Sequence, residues 1–289
     1  MDTEPGHPRV TGVVPVHNGV AHTRLFLASL SRLTYPEFRL TVVDDGSTDG
    51  TDELLAQAYP FPVKVIKGDG SLWWTRSVNL GVKDALKDGA DYILTLNNDI
   101  EVEPDFLDRL MACSLEEGGA IVAPKILYSD DHGRVWSAAG VIRWYSGKLF
   151  YTVDDRGDDE KLYVERRPAE FIHAMGALVP AGVYEKAGYY DERYPQYNSD
   201  VLFSLLAKRK GFRLLVEPAG VIYNDAAHSR AMDIRKRLDL LSPLFDPYSP
   251  YDLRSNWRLY SDFAPNPAAR VVGFVIKYLR FFLGTLRHL

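Results

Sequence analysis

The sequence predicts an α/β protein with a mostly parallel central sheet flanked by helices, followed by a helical C-terminal extension. Three observations predict it. Short apolar runs of strand type alternate with stretches of helical periodicity; each run ends in a polar loop; and the last part of the chain turns basic and helical.

The elements follow in order. Val10 to Val16, VTGVVPV, reads as the first strand, and His17-Asn18-Gly19 turns it into a helix with Leu25, Phe26, Leu30 and Leu33 at helical spacing. A second strand over 40–43 runs into Asp44-Asp45-Gly46-Ser47-Thr48-Asp49-Gly50-Thr51, then a short helix with Leu54, Leu55 and Ala58. A third strand, 63–66, ends at Lys67-Gly68-Asp69-Gly70, and a helix over about 74–86 leads to a fourth strand, 92–96, which stops at Asn97-Asn98-Asp99. Four such units in a row predict parallel strands with polar loops gathered along one edge, where open α/β sheets bind ligands. A helix over 106–115 and a strand over 120–124 complete this first half, about 9–125, for which the resemblance described below implies nucleotide binding. In the second half, 126–230, the stretches 137–140, 143–147 and 149–153 suggest a hairpin, followed by an acidic loop over 154–161 that reads as solvated surface or as a lid. A helix from Asn198-Ser199-Asp200 to Lys210 and strands over 212–216 and 220–223 close the domain; residues 231–289 form the extension.

With 289 residues, 46% apolar and 12% aromatic, the chain can bury one large core or two modest ones. The net charge of -5 sets up no general field for a polyanion, so nucleic acid is not expected as a partner. A single cysteine, Cys113, excludes an intramolecular disulfide framework and a cysteine-rich zinc site and reads as a core filler, compatible with a reducing cytoplasm. The first ten residues contain no apolar signal core, and no run reaches the ~18 apolar residues a spanning helix needs. The expected location is the cytoplasm, including the inner face of the membrane.

The loops carry the chemistry. A carboxylate flanked by amides at Asn97-Asn98-Asp99 can hold a hard divalent cation through oxygen and hydrogen-bond a sugar or phosphate; a polar turn into the next helix, with Pro104 at its first position, is the alternative. At Asp44-Asp45 one acid can accept from a base N–H or a ribose hydroxyl while Gly46 lets backbone approach, although Asp45, Ser47 and Asp49 read equally as turn and cap residues. Gly70, Trp73, Trp74, Arg76 and Asn79 set two indoles and a guanidinium beside a glycine turn, which suits a nucleotide-sugar pocket; adjacent tryptophans are otherwise one core and one half-exposed residue.

In order, Val14-Pro15-Val16-His17-Asn18, the stretch 42–49, Gly70-Ser71-Leu72-Trp73-Trp74 with Asn79, and Leu96-Asn97-Asn98-Asp99 resemble the motifs of the inverting family 2 glycosyltransferases of the GT-A (nucleotide-diphospho-sugar transferase) fold. They are most similar to its rhamnosyltransferase-like branch, and the resemblance continues to about Asn224. It implies a nucleotide-sugar donor, dTDP- or UDP-linked, contacted by Pro15, His17, Asn18, Asp44, Asp45, Gly70, Trp73, Trp74, Arg76, Asn79, Asn97 and Asn98. It also implies a divalent cation, Mn²⁺ or Mg²⁺, at Asp99, with Asn97 standing where the family's D-x-D motif has its first acid. Asn224-Asp225 replace a frequent metal-site histidine, which leaves His228 as the nearest candidate. Gly176 and Ala177, in the segment 171–180, would let backbone approach the transferred sugar, Tyr197 would line the acceptor pocket, and His173 reads as a core residue. Asp200 falls where the family has its general base, with Ser199 in place of the usual glutamate and Leu202 where many relatives carry another acid. The isolated sequence fits a helix-stabilised first-turn acid equally well.

The resemblance therefore implies inverting sugar transfer to a glycan or lipid-linked acceptor, with a sugar-nucleotide or glycan binding module of impaired turnover as the alternative that Asn97, Ser199 and Asn224 favour. The amphipathic stretch 270–289 fits an anionic membrane surface or a second subunit in a homodimer.

Overall fold

A computed structural model describes residues 7–152, 163–225 and 241–286 of the chain. The strand β1 (Val10–Val16) pairs in parallel with β2 (Phe38–Asp44) on one side and β4 (Tyr92–Thr95) on the other, and β2 pairs in parallel with β3 (Val63–Lys67). The nearly continuous apolar run of β1 has its physical reason here, because helices cover both faces of the sheet. On one face α3 (Trp73–Lys87) presents Val78, Val82 and Ala85 to Val13 and Ile93. On the other, α1 (Val20–Leu30) brings Phe26, Leu27 and Leu30, and α4 (Phe106–Glu116) brings Phe106, Leu107 and Leu110. Leu25 points to solvent and Leu33 lies beyond the end of α1, so the buried face turns on Phe26, Leu27 and Leu30 rather than on the foreseen quartet. The short α2 (Thr51–Leu55) completes the second unit. Cys113 is buried on α4, and burial pushes its thiol up to about 12.

The sheet continues past β4 in a way the alternating pattern does not reveal. The four-residue strand β11 (Ala177–Pro180), far along the chain, inserts antiparallel between β4 and β6 (Ile121–Tyr128). β12 (Leu214–Asn224) then runs parallel to β6, with β10 (Arg167–Pro168) antiparallel at its outer edge. The two foreseen closing strands are one strand, interrupted by a register shift between Glu217 and Val221 where Pro218 has no N–H to give the ladder. The polar triplet after β4 leads into β5 (Ile100–Val102), which pairs antiparallel with β12, before α4 begins. β7 (Val135–Ser137) pairs with β6, and β8 (Ala139–Arg143) with β9 (Lys148–Thr152) forms the expected hairpin around a 3-10 turn at Trp144–Ser146.

α5 (Ala181–Ala187) and α6 (Ser199–Arg209) follow β11. In the extension, α7 (Ser242–Phe245), α8 (Leu253–Phe263) and α9 (Pro267–Leu286) lie against the second half. Asp252 caps α8 by accepting from the Ser255 N–H at 2.7 Å. α9 closes on the hairpin turn, where a side chain at Gly273 would run into the Trp144 carbonyl. No helix among the described residues is long and apolar enough to cross a membrane.

Candidate active site

The carboxyl ends of β1 to β4 meet along one edge, and their loops hold one another through side chains. His17 Nδ1 lies 2.6 Å from the Asp45 carbonyl, and Asn18, with φ 58°, accepts from the Thr48 N–H at 2.9 Å while its own N–H donates to Ser47. Pro15 is the penultimate residue of β1, opposite Val43. Asp44 is buried; its carboxylate accepts from Lys67 Nζ at 2.8 Å and from the Ser47 N–H at 3.0 Å. Burial acts against its charge, but these hydrogen bonds outweigh it and hold the carboxyl below its ordinary range.

Asp45 organises the next loop. One of its oxygens accepts from the Gly70 N–H at 2.8 Å and the other from the N–H groups of Leu72 and Trp73 at 2.9 and 3.1 Å. The turn reading of Asp45 is the one its geometry fits, and Gly46 lets the backbone approach Gly70 rather than a ligand. The bonds hold Trp73 at φ 57°, a left-handed backbone that bulky residues rarely adopt, and the Trp73 indole stacks on Tyr248 at 3.8 Å between centroids. Trp74 turns inward: its indole N–H donates to Asn97 Oδ1 at 3.0 Å, and its ring meets Tyr190 edge-on.

Further along α3, Arg76 is exposed and lies 3.7 Å from Glu192. Asn79 does not face solvent. It is buried, with its amide donating to the Tyr190 carbonyl and to Glu192 while accepting from the Tyr190 N–H, so its contact with the site runs through the loop that carries Tyr190.

Beyond β4, Asn98 Nδ2 donates to Thr23 on α1 at 2.9 Å. Asp99 is different from the other acids: its Oδ1 is buried and meets no hydrogen-bond donor. Burial raises its carboxyl above the ordinary range, and Asp225 adds to the rise while His22 and the Asn97 amide oppose it. Both polar atoms of the adjacent, fully buried Asn224 amide are also unmatched. An anionic oxygen without a donor is chemically suited to a hard cation. Among the described residues no group of three or more His, Cys, Asp or Glu could hold a metal, so a cation here would need ligands from a bound substrate. His228 and the 154–161 loop lie outside the described residues.

Asp200 stands in the first turn of α6 and accepts from the Val201 N–H at 2.8 Å; its other oxygen lies 3.7 Å from His173 Nδ1. Burial depresses the His173 imidazole below its ordinary range, with Asp200 opposing. The N-terminus of α6 is pinned to α3: Thr75 Oγ1 donates to the Tyr194 carbonyl at 2.5 Å and lies 3.1 Å from Ser199 Oγ. Tyr190 bridges the two sides, with its ring on Phe203 of α6 at 4.6 Å and edge-on to Trp74. A packed chain thus runs from Asn97 through Trp74 and Tyr190 to Phe203, on the same helix whose first turn holds Asp200. Tyr197 is half-buried in the loop before α6.

Gly176 has φ 77° and its missing side chain makes room for Pro124 and Ile222, while Ala177 is buried in β11. The residues not foreseen are Lys67, Thr75, Tyr190 and Tyr248; only Lys67, at the carboxyl end of β3, carried a signal in sequence.

The parallel sheet, the antiparallel insertion of β11 and the edge of acids, amides and indoles define the GT-A class of α/β proteins. The Staphylococcus aureus TarS fragment 1–349 with UDP-GlcNAc superposes with a TM-score of 0.62 at 17% identity, covering 96% of this chain and 73% of that one. GalNAc-T7 with UDP, GalNAc and Mn²⁺ gives 0.61 at 14% identity, covering 96% and 56%. Residues 11–168 match the family model for glycosyl transferase family 2, and the chain belongs to that family; it is a glycosyltransferase. It is 26% identical over 249 residues to N-acetylglucosaminyl-diphospho-decaprenol L-rhamnosyltransferase of Mycobacterium tuberculosis, covering 78% of this chain and 80% of the relative. It is 25% identical over 262 residues to the O-antigen biosynthesis protein RfbC of Myxococcus xanthus, covering 84% of this chain and 20% of that protein.

Proposed function

We propose that the protein transfers one sugar from a dTDP- or UDP-linked donor to a hydroxyl of a glycan or lipid-linked acceptor, with inversion and with Asp200 as general base. The observation that carries the reading is the packed chain from Asn97 through Trp74 and Tyr190 to Phe203 of α6, the helix whose first turn carries Asp200. The M. tuberculosis relative, whose name specifies rhamnosyl transfer to a diphospho-decaprenol, supports a deoxyhexose donor and a lipid-linked acceptor for glycan assembly.

In the transfer, the acceptor oxygen forms its bond to the anomeric carbon as the bond to the diphosphate oxygen breaks on the opposite face, and the hydroxyl proton passes to Asp200. Asp200 stands in the first turn of α6, where the Val201 N–H fixes one of its oxygens. Asp99 would hold Mn²⁺ or Mg²⁺ through its unmatched oxygen. When bound there, the cation would offset the charge that gathers on the departing diphosphate. The exposed Arg76 guanidinium, only loosely paired with Glu192, is suited to the same diphosphate. Asp44, Asn18 and Asn98 stand along the donor side of the edge.

A panel of nucleotide sugars, screened by thermal shift with Mn²⁺, identifies the donor, since a ligand of the native state alone raises its melting temperature. With that donor, Asp200→Asn is expected to lower transfer about 10²- to 10⁴-fold and leave the donor-induced shift unchanged. Undiminished transfer by the variant removes Asp200 from the role of base. Donor binding without any transfer by the wild type would instead favour the binding-module reading.

A further inference from the structure

We propose that the outer face of α9 docks on an anionic lipid surface, with the helix lying in the plane of the headgroups. The inner face of α9, with Phe274, Tyr278 and Phe281, packs within the extension. On the outer face Val271, Val275, Leu279 and Leu283 recur every fourth residue and are 51%, 48%, 54% and 58% exposed, with Val272 in the adjacent row. A water-facing helix surface ordinarily carries charge on that side; this arc reaches none until Arg280 at its edge. An apolar arc of about three turns requires a cover, since leaving it in water costs about 25 cal/mol per Å².

Charge decides which cover. Between residues 253 and 286 Arg254 and Arg280 are exposed and Arg258 and Arg270 half-buried, against Asp262 alone, in a chain whose net charge is -5. A second copy seated on the same face would bring two sets of like charge together, whereas anionic headgroups attract them. Trp257, exposed on α8 and edge-on to Phe274 at 5.1 Å, supplies an indole of the kind that settles at a headgroup boundary. The helix lies on the surface rather than through it, for it is not apolar enough to span.

The docking face is tied to the donor loop through one short segment. Leu244 packs on Tyr278 and Phe281 of α9, and four residues later Tyr248 stacks on Trp73. On the reading above, a docked α9 would hold the Trp73 loop close to a lipid-linked acceptor.

The test uses the full chain, vesicles and no donor, so its failure is distinct from a failure of the transfer reading. Wild-type protein is expected to co-sediment with phosphatidylcholine vesicles containing phosphatidylglycerol, less with phosphatidylcholine alone, and less at high salt. Val275→Glu with Leu279→Glu, both at exposed positions, is expected to lower the bound fraction at least about tenfold with an unchanged melting temperature. Arg280→Glu, at the edge of the arc, should weaken binding severalfold on the anionic vesicles only. The proposal is overturned if the wild type stays in the supernatant or if both variants bind as it does. It is equally overturned if the wild type sediments in free solution as a dimer that the double variant splits into monomers.

Discussion

Asp44 and Asp99 are both acids at the ends of strands, yet their surroundings give them opposite tasks. Asp44 meets Lys67 and a backbone N–H, and those partners outweigh burial. Asp99 keeps a buried oxygen with no donor, and burial raises its carboxyl above 3.8. A carboxyl whose folded value exceeds its unfolded one stabilises the fold below the unfolded value and loses that contribution as pH rises through the folded one. At neutral pH the ionised Asp99 is therefore a cost to stability that a bound cation would relieve. Asp99→Asn is expected to raise stability at pH 7 by about 1 kcal/mol, the scale of an unmatched buried group, and to remove the Mn²⁺-dependent part of the donor-induced thermal shift. A lower melting temperature in the variant would show that the carboxylate has a structural partner.

At the level of elements, α3 and α9 each combine a packing face with a second task. The amino end of α3 presents Trp74 to Asn97 and Thr75 to the loop before α6, while its later turns fill the core with Val78 and Val82. On α9, Gly273 lets the helix rest on the hairpin turn, and Lys277, whose ammonium burial lowers to about 8, reaches Asn256 Oδ1 at 2.5 Å. Gly273→Ala would place a methyl group against the Trp144 carbonyl, which is backbone and cannot swing aside. We expect a loss of about 1–3 kcal/mol in urea unfolding, as for an overpacked core. An unchanged midpoint would mean that α9 sits farther from the turn.

At the scale of the whole molecule, β11 decides that the two halves are one body. It comes from the second half of the chain and pairs with β4 and β6, which begin in the first, and Gly176 just before it needs both a left-handed backbone and the absence of a side chain against Pro124. Gly176→Ala should cost about 1–3 kcal/mol and lower the far-ultraviolet and tryptophan-fluorescence transitions together. Separate midpoints would show that the halves unfold independently. The sequence alone determined the four βα units, the polar loops at their carboxyl ends and the acids and amides those loops carry, because strand and helix periodicity and turn chemistry are local. It did not show β11 between β4 and β6, the single irregular β12, the engagement of Asn79 with Tyr190, or Asp45 as the anchor of the Trp73 loop. Those are pairings between residues distant along the chain, and only the packed structure decides which donor meets which acceptor. The same holds for Asp200: its place in a helix's first turn was legible, but its neighbours His173 and Tyr190 are brought by other segments of the fold.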